Sequence, residues 1–247
     1  MGREIRIGTS GWVYKHWKGT YYPKEIPQGD WFGYYTRDFD TVEINNTFYR
    51  LPSPETFEHW REVAPKNFLY TFKASRYITH IKRLLDPESS LDKFLERAAL
   101  AAESLGPILF QLPPRWKADP DRLENFLRAL PKDLVKVFEF RNDSWHAEPI
   151  RKLLERYGIA FCIHDHRSIG ECPDWVTADP VYLRFHGPAE AQYSGSYSDQ
   201  VLEAQAQRIL VWRKEGRSIF VYFNNDVDGH AVRNALTLKS MIGRRMD

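Results

Sequence analysis

Short runs of β-branched and aromatic residues alternate along this chain with longer stretches of helical spacing. The runs are Ile5–Gly8, Thr41–Asn46, Leu69–Ala74, Ile108–Leu112, Val135–Phe140, Ile159–His164, Val181–His186 and Ile219–Asn224. They predict eight strands. Their starts lie 22 to 39 residues apart, close to the roughly 30 residues that a strand, a crossover helix and a return strand need. Hairpin spacing is absent.

The stretches between carry helix signals. Leu91, Phe94, Leu95, Ala98, Ala102 and Leu105 share one helical face, with Ser89 and Asp92 read as a capping box and Gly106-Pro107 as the stop. Asp119-Pro120 predicts the start of a helix carrying Leu123, Phe126, Leu127 and Leu130, and Ser53-Pro54 the start of one carrying Phe57, Trp60 and Ala64. Between His164 and Val181 there is little room for helix.

Side-chain phase then separates two architectures. One phase of the strands holds Glu43 and Asn45, Lys73, Gln111, Glu139 and Arg141, His164, Arg184 and His186, and Tyr222 and Asn224, while the other is largely apolar. An open parallel sheet covered on both faces would strand these polar groups, whereas a barrel gathers them at its C-terminal mouth. The expected fold is α/β, a TIM (β/α)8 barrel, with residues 1–247 as a single domain.

Composition narrows the function classes. With 35 Lys+Arg against 33 Asp+Glu, the balance of +2 gives no reason for whole-surface binding of a polyanion, so any nucleic-acid contact has to be a local patch. At 43% hydrophobic without an apolar run of about 18 residues, the chain reads as globular rather than membrane-spanning. Cys162 and Cys172 supply no disulfide framework, and Met1-Gly2-Arg3-Glu4 shows no apolar signal segment. The expected location is cytoplasmic.

The blocks Gly8-Thr9-Ser10-Gly11-Trp12, Val42-Glu43-Ile44-Asn45 with Thr47-Phe48-Tyr49-Arg50, Ile78-Thr79-His80, Gln111-Leu112-Pro113-Pro114, Glu139-Phe140-Arg141 with Ser144-Trp145, Arg184-Phe185-His186-Gly187 and Tyr222-Phe223-Asn224-Asn225-Asp226 resemble the YecE-like family, domain of unknown function 72. The resemblance spans nearly the whole chain and implies a TIM barrel. It also implies a likeness to endonuclease IV-type barrels and a role with nucleic acid. It carries over no catalytic residue.

Chemically, the polar strand ends offer cations in Lys73, Arg141 and Arg184, carboxylates in Glu43, Glu139 and Asp226, and imidazoles in His164 and His186. Such a set recognises anions. The expectation is a phosphate-bearing ligand, nucleic acid included, with Thr9, Trp12, Asn45, Gln111, Trp145 and Asn224 as further binding candidates. Phosphoester hydrolysis would use Glu139 or His164 as base and Lys73, Arg141 and Arg184 as charge stabilisers. Three alternatives stay open: a buried ion-pair network that only satisfies itself, a non-catalytic module for an anionic small molecule, and a glycosidase pair of Glu43 and Glu139, whose carboxyls would have to lie about 5 to 9.5 Å apart.

No cofactor is required by the sequence. Glu139, His164, His166, His186 and Asp226 are metal-ligand types without a compact motif, so a divalent metal is left open, as are partner and oligomeric state. The first four strand-to-helix loops combine cations with rings: Trp12, Tyr14, Lys15, His16, Trp17 and Lys18; Tyr49 and Arg50; Arg76, Tyr77, His80, Lys82 and Arg83; Arg115, Trp116 and Lys117. Cations track phosphates and rings stack bases. The competing reading makes Trp12 and Trp17 a packed lid.

Overall fold

A computed structural model describes residues 4–189 and 193–246. The first three residues, part of the segment read for a signal, lie outside the described residues. Eight strands run through the chain: β1 (Ile5–Thr9), β2 (Thr41–Ile44), β3 (Leu69–Lys73), β4 (Leu105–Gln111), β5 (Lys136–Glu139), β6 (Ala160–His164), β7 (Val181–Phe185) and β8 (Ile219–Phe223). Between and after them come the short helices α1 (Trp31–Tyr35) and α2 (Asn46–Tyr49), then α3 (Pro54–Val63), α4 (Pro87–Ala99), α5 (Pro120–Ala129), α6 (Glu148–Tyr157), α7 (Asp199–Lys214) and α8 (His230–Gly243).

The strands form one sheet in the order β1-β8-β7-β6-β5-β4-β3-β2. The pairs β1/β8, β7/β8, β3/β4, β4/β5 and β5/β6 are parallel, and a parallel bridge joins Ser10, just after β1, to Glu43 of β2. This is the topology of the (β/α)8 barrel expected from the spacing. All eight predicted strands are present, and no helix separates β6 from β7. No helix among the described residues is long and apolar enough to cross a membrane.

Contacts gather the chain into two compact units, Met1–Glu43 with His164–His166 and Pro180–Asp247, and Ile44–Ile163 with Arg167–Asp179. In the first, β8 is the centre of a three-stranded register, Ile5 and Val181 both pairing with Ile219, and Thr9 and Phe185 both with Phe223. Its aromatic core includes Tyr22 stacked on Trp31 at 4.6 Å. Pairs of this kind add about 0.5–1.5 kcal/mol beyond the area they bury. Gly8 is required where β1 passes Thr41, because a Cβ there would stand 2.3 Å from the Thr41 carbonyl oxygen.

In the second unit, Phe110 of β4 stacks on Phe138 of β5 at 5.2 Å, and Phe57 of α3 packs on Phe72 of β3 at 5.1 Å. Helix α5 starts as its sequence predicts, with the Asp119 carboxylate accepting from the Arg122 N–H. The capping box assigned to Ser89 and Asp92 is corrected. Pro87 at the first turn starts α4 before Ser89, after Asp86 in a left-handed conformation, and no side-chain cap forms there. Gly106-Pro107 is not a stop but lies inside β4, and α4 has already ended at Ala99. The glycine is needed because a Cβ would come within 2.9 Å of the Tyr70 carbonyl on β3.

Candidate functional site

Each unit carries its own cluster of polar side chains at strand C-termini. In the first, Glu43 is the hub. Its carboxylate accepts from Ser10 Oγ at 2.7 Å, from the Tyr182 hydroxyl at 2.6 Å and from Arg184 Nη2 at 2.7 Å. The side chains of Glu43 and Arg184 are both 0% exposed. Removing two charges from water costs several kcal/mol per ion, and three donors on one carboxylate are what make such burial tolerable. Burial, then Glu43, push the Tyr182 phenol well above its ordinary range, so it remains a donor.

Arg184 reaches onward to His186, Nη1 to Nε2 at 3.2 Å. A guanidinium only donates, so Nε2 accepts and Nδ1 carries the ring proton. That nitrogen lies 3.5 Å from the Asp165 carboxylate. Asp165 also accepts from the His186 backbone N–H at 2.7 Å and from the Tyr197 hydroxyl, which itself accepts from the Gly187 N–H. The rings of His164, His166 and His186 lie 5.0 to 6.4 Å apart in pairs. Among the described residues, no group of three or more His, Cys, Asp or Glu side chains is arranged to hold a metal ion.

In the second unit, Lys73 closes β3 with 8% exposure, and its ammonium lies 4.3 Å from the centre of the Phe48 ring. Thr47 holds the strand end in place by donating to the Lys73 carbonyl at 2.7 Å. The His80 ring meets the same Phe48 edge-on at 4.9 Å, and its Nδ1 is 2.9 Å from Thr79 Oγ1. Burial, then Lys73, Arg76 and Arg141, push His80 down to about 4, with Glu139 opposing. Glu139 itself is buried and pairs with Arg141 through Oε1 and Nε at 2.5 Å. Around one half-buried imidazole the strongest charges are therefore three cations and one carboxylate.

The other sequence candidates take varied places. Thr9 is fully buried, with its hydroxyl on the Gly11 carbonyl and beside the Tyr35 hydroxyl, which makes it a support of the β1 turn. Trp12 is half-buried, 5.3 Å from Phe32. Gln111 spends its amide N–H on the Leu112 carbonyl, and Asn224 is buried just beyond β8. Asn45 follows β2, with its amide oxygen buried and without a hydrogen-bond partner. Trp145 is fully buried, stacked on Phe140 at 5.0 Å, with its indole N–H on the Trp116 carbonyl. Asp226 is half-buried, its carboxyl raised by burial, and its carbonyl accepts from Trp17 Nε1.

The loop aromatics divide. Trp17 and Trp116 are buried and pack, whereas Tyr49 and Tyr77 are 73% and 47% exposed beside the exposed Arg50 and Arg76. Residues that the candidate set missed are Ser10, Tyr182, Asp165, Tyr197 and His80. Tyr182 shared the polar phase of Arg184 two positions on, and Asp165 sits between His164 and His166, so both had a signal. His80 stood within a basic and aromatic loop and in the block Ile78-Thr79-His80.

Comparison with known proteins agrees with this architecture. The family profile described as protein of unknown function DUF72 matches residues 6–247. UPF0759 protein YunF of Bacillus subtilis is 23% identical, over 96% of this chain and 94% of that protein. UPF0759 protein YecE of Escherichia coli is 30% identical over 55% of this chain and 52% of its own length. A crystal structure of a DUF72 family protein from Thermotoga maritima superposes with a TM-score of 0.88 at 29% identity, covering 97% of this chain and 99% of that one. Another from Enterococcus faecalis gives 0.79 at 22% identity, with 97% and 98% covered.

Proposed function

We propose, for a chain that belongs to the DUF72 family of proteins of unknown function, that it binds a phosphate-bearing ligand through the cluster of Lys73, Arg76, His80 and Arg141. The observation that carries this is the charge around His80. Three cations act on one half-buried ring against a single carboxylate, Glu139. Cations gathered at neighbouring strand ends attract an anion that enters among them. Arg141 supplies a planar fork and Lys73 a point charge, the two complementary ways of holding phosphate oxygens.

Single-stranded nucleic acid is the extended form of such a ligand. Tyr49 and Tyr77 are exposed and adjoin Arg50 and Arg76 in the chain, and Lys82 lies 5.9 Å over the Tyr77 ring, a mixture of rings and cations that suits stacked bases with a tracked backbone. The glycosidase alternative loses support at Glu43. Its oxygens already take three donors and its side chain is fully buried, which is the setting of a structural carboxylate rather than of a reachable acid or nucleophile.

Titration with inorganic phosphate, nucleoside monophosphates, sugar phosphates and a short oligonucleotide tests the proposal. Affinity should fall as salt rises, with a slope that counts the phosphate contacts, and Lys73→Met should weaken binding at least roughly tenfold. No binding of any of these at low salt, or binding indifferent to salt, would refute it. Product formation in the same mixtures separates a phosphoester hydrolase from a binding module. In a hydrolase Glu139 would act as base, and Lys73 and Arg141 would stabilise charge.

A further inference from the structure

We propose that His80 takes up a proton as a tetrahedral dianion enters the cluster, and then holds that anion as an imidazolium alongside Lys73, Arg76 and Arg141. This rests on the phosphate-binding reading and assigns its proton-carrying residue.

The geometry prepares the ring for its charged form. His80 lies in a π-helical turn, Tyr77–Ile81, a wide turn that is often found at functional positions. Its ring is fixed edge-on against Phe48, the same ring that Lys73 covers with its ammonium. Thr79 Oγ1 is 2.9 Å from Nδ1 and 3.4 Å from the Ser75 carbonyl. A hydroxyl that gives its proton to Ser75 accepts one from Nδ1, so the imidazolium has a partner for that N–H and keeps Nε2–H for the ligand.

The charges around it supply the switch. Lys73 from the end of β3, Arg76 from the start of the turn and Arg141 from beyond β5 all disfavour a further positive charge, and Glu139 of β5 only partly offsets them. A dianion placed among the three cations reverses that balance, and an opposite charge within about 4–6 Å raises an imidazole by about 1–3 units. The proton comes from the buffer and no covalent bond changes. Affinity for a dianion must then rise as pH falls, by linkage.

Sulfate is the suitable probe, because it is a tetrahedral dianion that does not itself titrate near neutrality. Calorimetric titration of the protein with sodium sulfate at pH 5.5, in buffers of different ionisation heat, reads the protons taken up per anion. The expected value is about 0.2–0.9 for the native chain and close to zero for His80→Gln, whose sulfate affinity should also be flat from pH 7 to pH 5. Imidazole NMR of the native chain gives a second reading that needs no variant, namely an upward shift of the His80 titration on adding sulfate. Sulfate binding without proton uptake, or uptake that persists in His80→Gln, would overturn the role of His80 and leave phosphate binding standing. Absence of sulfate and phosphate binding alike would overturn both.

Discussion

Glu43→Gln isolates the buried hub of the first unit. The substitution keeps the side chain's shape but removes the charge that Arg184 Nη2 meets at 2.7 Å, where both side chains are 0% exposed. It also replaces one oxygen by an amide donor, so the Ser10 and Tyr182 hydroxyls can no longer both donate as they do now. Leaving a guanidinium buried without its counter-charge costs about 3–5 kcal/mol. The two hydroxyl bonds are not added to this, since they rearrange with it. In a domain of this size each kcal/mol lowers the melting temperature by about 2–4 °C, so a fall of about 6–20 °C is expected. Denaturant and thermal melts of Glu43→Gln, Arg184→Met and the double variant form a cycle. The double variant should lose less than the sum of the singles by at least about 1 kcal/mol, because removing both charges leaves none stranded. A loss below about 1 kcal/mol for Glu43→Gln would refute the structural role and return Glu43 to the ligand candidates.

Arg141→Lys keeps the charge beside Glu139 but loses the fork; it should weaken a phosphate-bearing ligand at least roughly tenfold while chemical denaturation shows a stability change of about 1 kcal/mol or less. Glu139→Gln tests the opposite reading of the same pair, since a cost of about 3–5 kcal/mol with unchanged ligand affinity would make Glu139–Arg141 purely structural. His80 binds a proton in the unfolded chain below about pH 6.5 but in the folded one only near 4. Stability should therefore fall as pH drops through that window, by on the order of 1–2 kcal/mol after solvent screening, and His80→Gln should flatten this part of the pH–stability curve. Gly8→Ala drives a Cβ against the Thr41 carbonyl and should cost about 1–3 kcal/mol or more in a urea melt through overpacking against backbone.

The two clusters differ in the charges that surround them. Glu43 and Arg184 neutralise each other, and the network extends through Ser10, Tyr182 and His186. Around His80 the positive charges outweigh the negative one. A structural ion pair thus describes Glu43 and Arg184, whereas the cluster around Lys73 is the one proposed to take an anion. In the proposed reading the anion site is the cluster of Lys73, Arg76 and Arg141, while Arg184 is held between Glu43 and His186.

Eight strands, their parallel connections and the polar residues at their ends were legible in the chain, because a period of two and a spacing near 30 residues are properties of local sequence. So was the start of α5, where a carboxylate meets its own N–H groups three residues on. Local signals misled where tertiary contact decides. Gly106-Pro107 has the form of a helix stop, yet the glycine serves the close passage of β3 and β4. Trp17, Trp116 and Trp145 have the form of stacking rings, yet they are buried, and only the exposure of Tyr49 and Tyr77 separates a contact surface from a core. Which cation would neutralise which carboxylate was equally hidden. Glu43 finds Tyr182 and Arg184 from 139 and 141 residues away, a pairing set by strand order and register. His80 has its unusual environment only because β3 and β5 bring Lys73 and Arg141 to the turn that holds it. Alternation along a strand says which side a side chain takes, while its charge state depends on distances and burial that exist only once the strands are assembled.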